Sequence, residues 1–261
     1  MTEYGGFEME LNFEVFLIVC PLVFLAGLVD SIAGGGGLIS LPAYLIAGIP
    51  PHLAIGTNKL SSAVGTTVSA ARYIKNKFVD WPIAIPCVVL ALIGSSLGAN
   101  LVLLIDESII RYMLVGLLPF IAIYLLWGKK AKASEEIKNL PRKNVVIIAC
   151  IASFVIGTYD GFYGPGTGSF LILVYTAFAK MDLRIASGNT KLVNLASNIS
   201  ALVTFILHGK IIFLLGITAA VFSIAGHYIG AGLVIKNGYK IVRPVILVVL
   251  GLLLLKVIFG N

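Results

Sequence analysis

Gly27-Leu28-Val29-Asp30-Ser31-Ile32-Ala33-Gly34-Gly35-Gly36-Gly37 is followed, after one short apolar segment, by Gly56-Thr57-Asn58-Lys59-Leu60. The same order returns later as Gly157-Thr158-Tyr159-Asp160-Gly161-Phe162-Tyr163-Gly164-Pro165-Gly166-Thr167-Gly168 and then Gly188-Asn189-Thr190-Lys191-Leu192. Each copy sets an aspartate, a glycine-rich break and a lysine within sequence that is otherwise apolar enough for a bilayer. A charge at bilayer depth costs roughly 2.5–3.5 kcal/mol on insertion scales. Two such sets at matching places predict a transporter whose site lies between two repeats.

The flanking sequence agrees. The chain has 261 residues, 59% apolar and 12% charged, with a mean hydropathy of +1.01; a soluble domain carries about 25% charged residues. Apolar runs recur along the whole length, near 12–33, 38–49, 54–74, 82–103, 109–127, 144–163, 169–179, 184–207, 211–235 and 240–259. The expected fold class is therefore all-α, a polytopic membrane protein embedded in the lipid bilayer. Alternating segments of the kind a membrane β-barrel needs are absent. The net charge of +7 does not indicate nucleic-acid binding, because most of the charges sit in short loops between apolar runs. The N-terminus carries Glu3, Glu8, Glu10 and Glu14 with no basic region ahead of its first apolar run, which reads poorly as a signal peptide.

The basic stretch Lys129–Lys143 divides the chain. It gives a first transmembrane repeat over 1–128, a linker over 129–143 and a second repeat over 144–261. Gly56 matches Gly188, Lys59 matches Lys191, Gly94 matches Gly226, Gly98-Ala99 matches Gly230-Ala231 and Arg111 matches Arg243, all at the 132-position offset that separates Gly56 from Gly188. Such constant register indicates duplication. The positive-inside rule places the 129–143 linker in the cytoplasm, together with the Arg72/Lys75/Lys77, Lys180/Arg184 and Lys236/Lys240/Arg243 loops. Asp106-Glu107 and both termini then fall outside. Because Asp106-Glu107 and its mate near Lys236–Arg243 lie on opposite sides, the two repeats are expected to be inverted.

The segments 38–49 and 169–179 are too short to cross about 30 Å of hydrocarbon. They read as half-helices or re-entrant elements that begin at the breaks Gly34-Gly35-Gly36-Gly37 and Gly164-Pro165-Gly166-Thr167-Gly168. Irregular backbone at that depth needs protein or a watery cavity around it. Glycine permits sharp turns and close approach, and a half-helix start aims N–H groups at the gap, which suits an anion. Close helix packing through small residues is the competing reading of the same glycines. Lys59 and Lys191 read either as cationic contacts to an anionic substrate or as buried partners of Asp30 and Asp160. The aspartates fit charge compensation or proton coupling. Asn58, Asn189, Thr190 and Asn194 supply hydrogen bonds beside the lysines, as do Thr57, Ser61, Ser62 and Asn198.

The three cysteines, Cys20, Cys87 and Cys150, and the histidines His52, His208 and His227 form no metal-ligand or redox spacing. No metal or other cofactor is expected. The cysteines read as packing residues, His52 and His208 as interfacial, His227 as packing or hydrogen-bonded, and Trp81 and Trp127 as interface anchors. No catalytic motif is present, so an enzyme is not expected.

At these motifs the chain resembles the TauE/SafE permeases, the sulfite-exporter-like proteins, over nearly its whole length. The likeness rests on the Gly-x-x-Asp-x-x-x-Gly-x-Gly element that begins each half (Gly27–Gly37; Gly157–Gly168), on the segment around Pro42, and on Gly56-Thr57-Asn58-Lys59. It rests further on Gly164-Pro165-Gly166-Thr167-Gly168-Ser169 followed by Asn189-Thr190-Lys191-Leu192 with Asn194 and Asn198. The resemblance implies a permease for small sulfur-containing or organic anions such as sulfite or sulfoacetate. The expected activity is alternating-access export from a cell inner or plasma membrane. A passive anion channel and a proton-coupled carrier of another organic anion are the alternatives, and a homo-oligomer is compatible with either.

Overall fold

The computed structural model describes residues 11–110 and 140–237, together with the backbone of two short strands, β1 (Thr2–Tyr4) and β2 (Phe7–Met9). The expected apolar segments 109–127 and 240–259, most of the 129–143 linker, Trp127, and the Arg111/Arg243 match lie wholly or mainly outside the described residues. The strands pair antiparallel with Thr2 opposite Met9, a three-residue pairing ahead of the helices that leaves the all-α class unchanged. Gly5-Gly6 stands between them in sequence, a pair typical of two-residue hairpin connections.

Every other described element is helical. The first half contributes α1 (Phe13–Ala33), α2 (Gly37–Ile46), α3 (Pro51–Lys75) and α4 (Trp81–Leu103). The second contributes α5 (Arg142–Phe162), α6 (Thr167–Ala177), α7 (Leu183–Leu207) and α8 (Phe213–Asn237). Each half thus runs long, short, long, long. At 1.5 Å per residue the 10 residues of α2 and 11 of α6 reach only about 15–17 Å, so neither spans. Five helices among the described residues (α1, α4, α5, α7 and α8) are long and apolar enough to cross a membrane. The 25-residue α3 has the length but not the apolarity. Thr57, Asn58, Lys59, Ser61, Thr66 and Ser69 all lie on it and are all buried, so its polar side faces the protein interior rather than lipid.

Polarity is distributed inside out. Leu17, Ile85, Ile151, Val155, Ile217 and Val221 are 57–61% exposed, while the hydroxyls, amides and ammonium groups named above are hidden. That pattern costs free energy in water and suits a hydrocarbon surround. Trp81 is half exposed at the start of α4, as an interface anchor is. His52, expected at the interface, is instead buried. Its Nε2 lies 3.0 Å from the Val102 carbonyl and its Nδ1 lies 3.2 Å from Glu107 Oε1, because α3 begins at Pro51 and brings its first turn beneath the end of α4. His208 follows α7, its Nδ1 2.8 Å from the Thr204 carbonyl.

The halves are interlocked rather than side by side. α1 packs along α8, and α4 along α5. Glycines set both crossings. A Cβ on Gly27 would meet the Ser223 carbonyl and one on Gly226 would meet Phe24, while Gly157 lies against Ala91 and Gly94 against Phe154. Small residues of this kind let helix backbones approach where lipid supplies no hydrophobic drive. Replacing Gly98, whose missing side chain admits the Thr158 carbonyl and Phe162 amide, with valine should lower the thermal midpoint. Overpacking of this kind costs about 1–3 kcal/mol; an unchanged midpoint would mean that α4 and α5 pack elsewhere.

The short helices anchor on tyrosines. Tyr44 of α2 is buried with its hydroxyl 3.1 Å from Ser61 Oγ, and Tyr175 of α6 is buried with its hydroxyl 2.7 Å from Ser153 Oγ. Apolar side chains close around each, Leu38, Leu41 and Phe205 on one side and Leu171, Cys87 and Val193 on the other. Cys20 and Cys87 are buried and Cys150 half-buried, all unbridged.

Candidate functional site

α1 stops at Ala33 because Gly34 takes the left-handed conformation, φ 77°, as its C-cap. The chain then folds back, and Gly36 lies against Ala26 and Asp30 of the helix it has just left. In the second half, Gly164 and Gly166 adopt φ 96° and 85°, and α6 starts at Thr167. The two breaks meet. The Ser169 amide donates to the Gly34 carbonyl at 3.2 Å, and Ser169 Oγ donates to the Ala33 carbonyl at 2.7 Å. The Cα atoms of Gly34 and Gly168 approach so closely that a Cβ on either would overlap the other's backbone.

The buried charges cross between halves. Lys59 Nζ, on α3, donates to Asp160 Oδ2 of α5 at 2.7 Å and to Asn198 Oδ1 of α7 at 3.1 Å. Lys191 Nζ, on α7, donates to Asp30 Oδ2 of α1 at 2.8 Å and also to the Asp30 carbonyl. The first pair is sealed, each side chain 3% exposed, whereas in the second Lys191 is fully hidden and Asp30 is 13% exposed. Further donors hold the carboxylates. Asp160 accepts from Ser197 Oγ at 2.6 Å and Thr167 Oγ1 at 2.8 Å, and Asp30 Oδ1 accepts from the Gly36 amide at 3.3 Å. Asp30 therefore occupies the anion-favouring position beside the start of α2, and Asp160 meets the start of α6 through the Thr167 hydroxyl. Such pairs add little net stability, yet stranding one member costs about 3–5 kcal/mol.

Between the pairs lies a cavity of about 30 Å³, on the order of one or two water molecules. Gly34, Gly36 and Gly37 border it from the first break, and Gly164, Thr167 and Gly168 from the second. Asn58 and Lys59 face it from α3, Asn194 from α7, and Asp30 and Asp160 from α1 and α5. Five expected residues stand apart from its lining. Gly35 and Gly166 shape the breaks, Gly166 as the left-handed residue before α6. Lys191 reaches Asp30 from behind. Thr190 is buried elsewhere, its hydroxyl unpartnered among the described residues. Asn189, also buried, turns away from the cavity to accept the Asp80 amide at 3.0 Å. Asn189→Ala is therefore expected to leave anion affinity unchanged while costing about 1 kcal/mol of stability, because the half-buried Asp80 amide loses its acceptor. A thermal melt beside a binding isotherm checks both.

Thr66, Ser223 and His227 also line the cavity; the first two were not expected there, and His227 was expected only as a packing or hydrogen-bonded residue. Thr66 was legible, since Lys59, Ser62 and Thr66 are spaced i, i+3, i+7 and share one helix face. Ser223 and His227 had no such signal, because Ala91 and Ser95 occupy the matching positions in the first half.

A bundle with a lipid-facing apolar exterior, two broken helices and paired charges around a small polar cavity defines a multi-pass membrane protein of the transporter class. A family model described as Sulfite exporter TauE/SafE matches residues 19–257. The chain belongs to the TauE/SafE family, and it is a membrane transporter of that family. Over 253 residues it is 32% identical to a "Probable membrane transporter protein" of Haemophilus influenzae, covering 97% of this chain and 98% of that one. It is 34% identical over 258 residues to the "Probable membrane transporter protein YfcA" of Escherichia coli K12, covering 96% and 95%. To "Probable membrane transporter protein ORF9" of a Sinorhizobium species it is 32% identical over 240 residues, covering 92% and 91%. No solved structure matches the chain.

Proposed function

We propose that the protein carries a small anion, of the sulfite or organosulfonate class, across the bacterial inner membrane by alternating access. The observation that carries this reading is the position of Lys59. Lys59 borders the central cavity while its ammonium is held by a carboxylate from the other half, so an anion entering the cavity competes with Asp160 for the same cation. Thr167, Asn58 and Asn194 offer neutral donors around that point. The crossed pairs support a two-state device. Each half contributes one aspartate and one lysine, and each pair joins the halves, so exchanging partners for substrate at one pair and then the other would loosen each contact in turn.

The two halves act as inverted copies in this reading, with both termini outside and the 129–143 linker in the cytoplasm. An inside-negative potential drives an uncoupled monoanion outward by about 2.3 kcal/mol per 100 mV, which favours export. Flux of labelled methanesulfonate into liposomes holding the purified protein tests the reading. Saturable uptake that is accelerated by unlabelled anion inside identifies a carrier. Uptake that rises linearly without such acceleration identifies a channel, and no uptake of any small sulfonate, sulfite or carboxylate removes the anion assignment.

A further inference from the structure

His227 breaks the pattern of the two halves at the cavity. Its counterpart Ser95 donates to the Ser197 carbonyl at 2.6 Å and is absorbed into packing. His227 is also buried, but it borders the cavity. A slot of missing side chains holds its ring, since a Cβ on Gly27 would stand 3.0 Å from His227 Cδ2 and one on Gly65 2.5 Å from it.

Ser69 Oγ has one proton, and both the Thr66 carbonyl at 3.0 Å and His227 Nδ1 at 3.1 Å lie within its reach. With that proton on the Thr66 carbonyl, Ser69 accepts from Nδ1–H, and Nε2 of the neutral ring is the acceptor. That lone pair faces Asp30 Oδ2 at 3.9 Å, acceptor toward acceptor, with nothing shared between them. A proton on Nε2 converts this gap into a charged donor facing a carboxylate. On the same side of the cavity the Thr66 hydroxyl is buried and has no partner among the described residues, which suits a water that delivers the proton.

We infer that His227 Nε2, facing Asp30, is a proton-binding site whose occupancy rises when an anion occupies the central cavity. The inference rests on the anion reading above and adds a ligand to it. The charges around the ring explain the coupling. From α1 it faces Asp30, which is itself paired with Lys191 of α7. From α3 come Arg72, which donates to the Tyr228 carbonyl next to His227, and Tyr73, which donates to the Ser31 carbonyl next to Asp30. Lys59 and Asp160 lie across the cavity. Two lysines and two aspartates leave the buried centre neutral. A bound monoanion makes it negative, and a protonated His227 restores neutrality. Proton and anion therefore favour each other, and by linkage each tightens the other equally. Histidine suits this role because its ordinary titration falls between about pH 5 and 8.

The test uses methanesulfonate, whose charge is constant over that range, with the purified full-length protein. Calorimetry in buffers of different ionisation enthalpy counts protons taken up on binding, and nitrogen NMR of labelled histidine follows the His227 ring directly. Affinity should rise as pH falls, by up to about tenfold per pH unit, with proton uptake approaching one per anion, and the Nε2 signal should report protonation when anion is added. In His227→Asn, which retains a donor toward Ser69 but cannot be protonated, binding should lose its pH dependence. Binding that is pH-independent in the native protein, without proton uptake or a change at Nε2, overturns the proton site and leaves the anion reading standing. Failure of methanesulfonate, sulfite and carboxylates to bind at any pH overturns both.

Discussion

Lys59→Ala is expected to weaken anion binding by about 10- to 100-fold. A hydrogen bond to a charged group contributes about 1.5–3 kcal/mol, and each 1.4 kcal/mol is about tenfold in affinity. The same change strands the Asp160 carboxylate with Ser197 and Thr167 as its remaining donors, so about 3–5 kcal/mol of stability is lost as well. These effects separate in Lys59→Ala/Asp160→Asn, which removes both charges. Stability should largely return in the double variant, and affinity should not. Lys191→Ala supplies the comparison. It strands Asp30 in the same way, but its amine does not border the cavity, so the loss of stability should come with a smaller loss of affinity. Native affinity in Lys59→Ala, measured by calorimetry or thermal shift, would show that the anion does not meet this cation.

Gly34→Ala should be among the most damaging single methyl additions in the chain. Two costs combine. The residue has φ 77°, where an L side chain costs roughly 1–2 kcal/mol. Its Cβ would also enter the backbone of Gly168, and overpacking adds about 1–3 kcal/mol. Gly48 separates the two. It has φ 81°, and a Cβ added there would meet nothing within 4 Å, so Gly48→Ala carries the backbone strain alone. The difference between their unfolding midpoints isolates the contact between the breaks. Equal midpoints would show that the two glycine runs do not touch. Because this contact joins the halves at the cavity, Gly34→Ala should also reduce flux beyond what its stability loss explains.

Much of the fold was legible because its signals are local. A run of glycines in membrane-grade sequence breaks a helix wherever it falls, and the segments expected at 38–49 and 169–179 appear as α2 at Gly37–Ile46 and α6 at Thr167–Ala177. The buried lysines and aspartates were legible because charge inside apolar sequence demands partners. Which aspartate each lysine meets was not, because the choice depends on how α3 and α7 pack against the opposite half. Asn189 shows a different failure. At about 100° per residue it stands roughly 200° around α7 from Lys191, whereas Lys191, Asn194 and Asn198 share a face; nearness in sequence outweighed helical phase. His227 is hydrogen-bonded, as its sequence position suggests, but its place at the cavity was not legible, because the matching position in the first half is Ser95. The paired N-terminal strands fall within a segment legible in sequence only for its acidic charge.

The most direct test of the central claim, that an anion passes through the cavity between crossed Lys–Asp pairs, is trans-stimulated uptake of labelled methanesulfonate by liposomes containing the native protein or Lys59→Ala/Asp160→Asn. The native protein should show saturable uptake, accelerated by internal anion, and the double variant, folded by its melting profile, should show almost none. Uptake by the folded variant at the native rate would contradict the claim.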